Sequence, residues 1–414
     1  MNRLLKGAGV SLAATLFALL AVEGVLRIVK INTLSHITYV KGKGLINEPG
    51  AYYVHKKEGF SEGRFNVHGF RDVERSIEKP PGTYRIAVFG DSFIEGLQVD
   101  LAKTFCANLE RLLSRPGRPK VEVLNFGQSG FGTTDEFMRY VHFGAEYHPD
   151  LVIVALTIAN DIRNNSKVLN NASLGYYYTP DANGNLVLDT SVVDRYEGDT
   201  GIVAGWFKAV KRHSYLASLV SERLYLIRFE SRENAARAKL NTEGAGKAGS
   251  AGSSSGGIDE LSDLNIYLEK MTPRWQEAFR ITKGVLEKFR TRVEADGGRF
   301  LLVLIPGAEE VNVDLQRTAS AGVGVRLDYD QPVRILNEYA RELKVACLDL
   351  LPPFREQVGR TGVHPYGYAP TFGGHWNEAG HDIGARVVAE YVGKNGYLPG
   401  VGNFADRTAE KGSM

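Results

Sequence analysis

Two cysteines in 414 residues leave no basis for a disulfide framework or a cysteine-rich metal centre. Cys106 falls in a predicted helix and Cys347 in an apolar strand, as free buried thiols would. No Cys/His grouping has zinc-like spacing, and neither Gly-x-Gly-x-x-Gly nor a Walker sequence occurs. Nucleotide binding therefore has nothing to rest on, and no metal or cofactor is expected. An excess of one charge is also missing: 50 Lys+Arg against 48 Asp+Glu give a formal net charge of +2. With no basic block outside the N-terminus, nucleic acid is not an expected partner. No internal repeat is visible. There is instead a globular balance, 43% hydrophobic and 24% charged, in a chain long enough for one large domain with additions.

The N-terminus stands apart. Arg3 and Lys6 precede an uncharged, largely apolar run from Gly7 to Val22. Glu23 interrupts it, and Val25, Leu26, Ile28 and Val29 continue it around Arg27. A span needs about 20 apolar residues, and Glu23 and Arg27 are spaced to pair on one helix face near its end. Residues 1–30 are read as a retained single-pass anchor, with a cleaved signal as the alternative; Val22-Glu23-Gly24 makes a poor cleavage site. Either way the rest of the chain is expected outside the cytoplasm.

Residues 31–80 are mixed and polar and read as a linker and lead-in. From Tyr84 a regular alternation begins. Apolar strands are expected at Arg85–Phe89, Val121–Asn125, Leu151–Leu156, Phe300–Ile305 and Val345–Leu350, with helices at Phe105–Leu113, Thr134–Ala145, Trp275–Ala295, Pro332–Lys344 and Asn377–Val392. This rhythm predicts an α/β fold: a three-layer α/β/α sandwich on a parallel sheet whose strands are buried on both faces. The domain is read as 80–395, with an insertion at about 165–270 between the third and fourth strands. The insertion includes a helical stretch from Trp206 to Arg228 and a Gly/Ser/Ala linker at 242–257; 396–414 is a tail.

Four segments carry chemistry. Gly90-Asp91-Ser92-Phe93 follows the first strand and places a serine at the crevice where open parallel sheets bind ligands. Asn125-Phe126-Gly127-Gln128 follows the second strand and Ala159-Asn160-Asp161 the third, where a glycine N–H and an asparagine amide can face an oxyanion. Gly374-His375-Trp376-Asn377 precedes the last helix. Each alone is compatible with an ordinary turn or helix cap. Together they supply a hydroxyl nucleophile, a base and oxyanion donors, the set that acyl-ester hydrolysis requires. His381 lies inside the helix and reads as structural. Asp91 reads as support for the serine loop, and Arg71 and Trp376 as packing or rim residues.

These four blocks resemble the SGNH (GDSL-type) serine hydrolases, whose signature residues map onto Ser92, Gly127, Asn160 and His375. The resemblance covers about residues 64–165 and 275–392 and extends to Asn66–Arg71 and the anchor ending Glu23–Arg27, features of membrane-anchored bacterial members. It implies a serine nucleophile, a histidine base, and an oxyanion hole from Ser92, Gly127 and Asn160. The chain departs from the family at block three, where Ile158-Ala159-Asn160-Asp161 lacks the usual Gly, and at the acid. The positions two and three before the histidine are Gly373 and Phe372. Asp349 is the first candidate to orient His375, with Glu309, Glu310 or a backbone carbonyl behind it. The resemblance implies an esterase acting on O-acyl, chiefly O-acetyl, groups of a small molecule or polysaccharide. An O-acetyltransferase on a surface polysaccharide and a non-catalytic binding protein are the alternatives.

Overall fold

The computed structural model describes residues 2–29, 37–40, 42–114, 119–197, 258–321, 323–368 and 373–398, with scattered positions between 206 and 235. The expected linker 242–257, Phe372 and the tail from 399 onward lie outside the described residues.

Five parallel strands form the central sheet: β5 (Thr83–Gly90), β6 (Lys120–Asn125), β7 (Leu151–Thr157), β10 (Arg299–Ile305) and β11 (Cys347–Asp349), in the order β11-β10-β7-β5-β6. All residues of β5 and β7 are buried, because helices cover both faces of the sheet. One layer includes α3 (Phe105–Leu113) and α6 (Glu378–Lys394), which pack on each other; the other includes α4 (Pro273–Ala295). Phe89 links the sheet to α4: its ring stacks on Phe126 at 4.9 Å and meets Phe289 edge-on at 5.7 Å. The fold is thus the expected α/β/α sandwich. The last strand is shorter than expected. Val345 N donates back to Ala340 O in the preceding helix, and Leu350 already caps the next one, α5 (Leu351–Thr361).

The chain leaves β5 for β6 on one side, then crosses to β7 on the other, so the C-terminal end of β5 sits at the topological switch point. That is where Ser92 lies.

The N-terminal helix α1 (Asn2–Val29) contains a 23-residue stretch, Gly7–Val29, with an 18-residue window of mean hydropathy 2.1, long and apolar enough to cross a membrane. The 31–80 segment differs from the linker expected there. Its described part folds as two antiparallel hairpins, β1 (Ile37–Val40) with β2 (Gly44–Asn47) and β3 (Tyr52–His55) with β4 (Ser61–Arg64). Tyr52-Tyr53-Val54-His55 is a short β-prone run, and Gly59, at φ +70°, allows the turn. Within the insertion, Tyr177–Pro180 and Leu186–Asp189 form a further hairpin, β8 and β9.

Candidate active site

Gly90 closes β5 and Asp91 caps the four-residue helix α2 (Ser92–Glu95), accepting from Phe93 N at 2.9 Å. A Cβ at Gly90 would lie 2.4 Å from Ile94 Cγ1, so only glycine lets α2 fold back over the strand end. Ser92 therefore sits at the first helical position, where its N–H has no intrahelical partner. Among the described residues that N–H has no protein acceptor. Arg71, buried, donates to the carbonyls of Glu95, Gly96 and Val99 and fixes the loop after α2. Its role is structural packing, as for Trp376, which is fully buried.

His375 is held in place by the start of α6. Asn377 caps that helix, its Oδ1 accepting from Ala379 N and Gly380 N, while its Nδ2 donates to the carbonyls of His364 and Gly367. The imidazole packs against Phe93, ring centroids 5.1 Å apart. His375 Nε2 lies 2.8 Å from Ser92 Oγ. His381, by contrast, is buried inside α6 and accepts from Phe105 N through Nδ1 at 3.1 Å; burial lowers it to about 3.

The group on the other imidazole nitrogen is Glu58, from the turn between β3 and β4. Its Oε2 lies 2.7 Å from His375 Nδ1 and also accepts from His375 N at 3.0 Å. The hydrogen bond from His375 holds the Glu58 carboxyl below its ordinary value, against the opposing effect of burial. An ionised carboxylate can only accept. The proton therefore sits on Nδ1, and Nε2 is left to accept from the serine hydroxyl. Gly374, at φ +88°, makes the approach possible: a Cβ there would lie 2.7 Å from Glu58 Oε1. His55, at the start of the same turn, is lowered to about 4, chiefly by burial.

The structure corrects the expectation that Asp349 orients the histidine. Asp349 ends β11 and its Oδ1 accepts from Leu351 N at 2.8 Å, at the start of α5. Glu310 is buried and accepts from Gly307 N, and no hydrogen bond joins Glu309 to the imidazole. After β11 the chain turns at once into Pro352 and Pro353, and Asp349 serves that turn. No local signal marks Glu58, which stands between Lys57 and Gly59 like any solvated turn residue. The only clue was the absence of an acid at Gly373.

The oxyanion donors also differ in detail. Asn160 Nδ2 donates to Asp91 Oδ2 at 2.9 Å, and Asp91 Oδ1 accepts from Thr157 Oγ1 at 2.9 Å. Asp91 thus supports the serine loop and aims Asn160 as well; one Nδ2 hydrogen remains. Gly127 N–H, expected to be free, donates to Asn125 Oδ1 at 2.9 Å. The reason for glycine there is steric: a Cβ would lie 2.4 Å from Glu95 N. Glu95, unremarked in the sequence, is buried and ties the loops together, accepting from Asn47 Nδ2 at 2.8 Å and Ser129 N at 2.9 Å.

Both cysteines are free. Among the described residues no group of three His, Cys, Asp or Glu side chains is arranged to hold a metal ion.

No family model matches the chain, and no curated protein matches it. Among solved structures, it is similar to TesA at 14% identity over 75% of this chain and 98% of that one, with a TM-score of 0.36. Axe2, an acetylxylan esterase from Geobacillus stearothermophilus, gives 14%, 75%, 94% and 0.37 in the same terms. A lipase/acylhydrolase from Enterococcus faecalis gives 12%, 76%, 97% and 0.36. Likeness at this level fixes neither a family nor an activity.

Proposed function

We propose that the chain is a serine ester hydrolase with Ser92 as nucleophile, His375 as base and Glu58 as the group that orients and stabilises the imidazole. The observation that carries this reading is the unbroken chain Ser92 Oγ–His375 Nε2, His375 Nδ1–Glu58 Oε2, at 2.8 and 2.7 Å. Both spacings are those of a nucleophile and base within proton-transfer reach.

In this mechanism Ser92 Oγ attacks the ester carbonyl carbon as its proton passes to His375 Nε2. Negative charge moves to the carbonyl oxygen, where the Ser92 N–H and the remaining Nδ2 hydrogen of Asn160 donate to it. Collapse breaks the bond to the alkoxy oxygen, which takes the proton from Nε2 and departs as the alcohol. Water then attacks the acyl-serine, giving its proton to Nε2, and collapse returns that proton to Ser92 Oγ with release of the carboxylic acid. Glu58 stays ionised throughout and stabilises the imidazolium that forms twice.

The acid was the feature whose absence favoured a non-catalytic role, and Glu58 removes that motive. The substrate class we assign is an O-acyl ester, with acetyl esters of carbohydrate first to test. The catalytic domain is assigned outside the cytoplasm, behind the candidate span α1. The test is labelling of the full chain with a fluorophosphonate serine probe, alongside hydrolysis of 4-nitrophenyl acetate. Wild type is expected to label and turn over, and Ser92→Ala to do neither while melting normally. An unlabelled wild type, or a Ser92→Ala protein with wild-type turnover, refutes the assignment.

A further inference from the structure

The last two turns of α1 do not end free. Glu23 and Arg27 pair at 2.8 Å. Glu23 also accepts from Tyr215 N and Leu216 N, each at 3.0 Å, and from Ser214 Oγ at 2.9 Å. It therefore caps a second helix at its first turn, where N–H groups lack partners and negative charge is favoured. Arg27 donates to His213 O and lies over the Tyr215 ring, 5.4 Å from its centroid. At the last residue of α1, the Val29 carbonyl accepts from Lys56 Nζ at 2.7 Å. Lys56 is two residues from Glu58. The end of the candidate span is thus bonded to the same hairpin turn that supplies the carboxylate facing His375.

Distances are bounded by that chain of contacts. The Lys56 side chain, two residues of backbone, the Glu58 side chain, one imidazole and three hydrogen bonds separate Val29 from Ser92 Oγ, a reach of roughly 30 Å at most. The surface at this level is apolar in patches. Phe60, 52% exposed, stands beside Lys56, whose Nζ is 5.9 Å from its ring centroid. Among the described helical residues that follow this cap, Val220, Leu224 and Ile227 are 47%, 46% and 62% exposed, at the four- and three-residue spacing of one helix face. Arg223 and Arg228, both exposed, flank them. Apolar residues on one face beside arginines are the pattern of a helix lying in a lipid headgroup layer, and this helix is tied to the point where α1 would leave the hydrocarbon.

Resting on the reading of α1 as a span and of the site as an esterase, we propose that this clasp holds the catalytic domain against the bilayer surface, and that the enzyme takes acyl esters carried by membrane-bound molecules. A free tether would let the site sweep through solution. A clasp at Glu23, Arg27 and Lys56 keeps it within the headgroup layer and favours a lipid-borne ester over a diffusing one.

The test uses the full chain in phosphatidylcholine/phosphatidylglycerol vesicles, with two substrates: 4-nitrophenyl acetate in solution, and a fluorogenic acetate ester coupled to phosphatidylethanolamine in the same bilayer. Glu23→Ala combined with Arg27→Ala breaks the clasp far from the triad. Expected is an unchanged rate on 4-nitrophenyl acetate, within about twofold, and a loss of tenfold or more on the lipid-coupled ester. An environment-sensitive label at Leu224→Cys, quenched by brominated lipid in the otherwise unchanged protein, is the second expected result. Equal losses on both substrates, no loss on either, or a Leu224→Cys label that lipid does not quench overturns the proposal. Two further results overturn it through its premises and are told apart: vesicles that lose the protein in alkaline carbonate refute the span, and retained wild type that does not label with fluorophosphonate refutes the esterase.

Discussion

Glu58 and His375 stand 317 positions apart in sequence and 2.7 Å apart in space. The acid comes from a hairpin ahead of the α/β domain proper, so the three groups run Glu58, Ser92, His375 along the chain. The hairpin is held where it is needed by ordinary means. Arg71 Nε donates to the Tyr53 hydroxyl of β3 at 2.9 Å. Ser61, the first residue of β4, donates to Leu97 O just past α2. The turn with the carboxylate and the loop with the serine are therefore fastened to each other.

Removing the carboxylate while keeping the shape should separate its charge from its packing. Glu58→Gln keeps one acceptor oxygen but no longer stabilises the imidazolium or fixes its tautomer. We expect kcat/KM for 4-nitrophenyl acetate to fall by about 10²- to 10⁴-fold, by comparison with losses at triad acids elsewhere. The measurement is steady-state kinetics with a melting curve on the same sample. Wild-type kcat/KM in a folded Glu58→Gln protein would leave the carboxylate a bystander.

The empty position before the histidine gives a complementary experiment. If Glu58 already serves Nδ1, Gly373→Asp should bring no gain in kcat in the wild-type background, since the nitrogen is occupied. In the Glu58→Ala background the same change should restore part of the lost rate. A rise in the wild-type background would mean that the site lacks an effective acid as it stands.

The parts of this molecule that were legible in the sequence are those set by local pattern. Arg85 to Phe89 and Leu151 to Leu156 are apolar on both faces, and only a strand covered on two sides can use them. Ser92, Gly127, Asn160 and His375 were legible because strand ends and helix starts punctuate the chain with Gly, Asn and Asp. Glu58 was not, because its place beside His375 is created wholly by tertiary contact: nothing in Lys57-Glu58-Gly59 distinguishes it from a solvated turn. The same holds for the N–H of Gly127. Its bond to Asn125 Oδ1 depends on an amide orientation, fixed in turn by Asn125 Nδ2 donating to Ile94 O at 2.9 Å, that no spacing rule contains.

That bond sharpens the prediction for the oxyanion hole. In the proposed mechanism, with Gly127 engaged, Asn160 and the Ser92 N–H carry the developing charge. Asn160→Ala should lower kcat by about 10²- to 10³-fold with little change in KM, since the donor acts mainly on the transition state. Asp91→Asn should produce a smaller loss of the same kind, because it keeps an acceptor for Asn160 on only one oxygen. A variant altered mainly in KM would instead place Asn160 in ground-state binding.

The pH dependence of stability has a sign fixed by burial. Asp72 is raised to about 6 and Asp135 to about 7, and Glu136, Asp161 and Glu310 are raised well above the ordinary range, in each case first by burial. Unfolded carboxyls release their protons near pH 4. Between about pH 5 and 7 the folded chain therefore holds protons that the unfolded chain has lost, and a raised pKa stabilises most below the unfolded value and is lost as pH climbs through the folded one. His55 and His381, lowered to about 4 and about 3, act the other way. The unfolded chain protonates them below about pH 6.5 and the folded chain does not, so their contribution fades as pH falls. Burial also raises Asp91 and Asp349 and lowers His142, so seven carboxyls oppose three histidines, and the melting temperature should be higher at pH 5.5 than at pH 7.5. Asp135→Asn isolates one contributor: its Oδ1 can still accept from Tyr176 N, 2.8 Å away, but it no longer titrates. It should narrow the difference between the two pH values. A protein that melts higher at pH 7.5 would mean that these carboxyls are ionised in the folded state and that water reaches them.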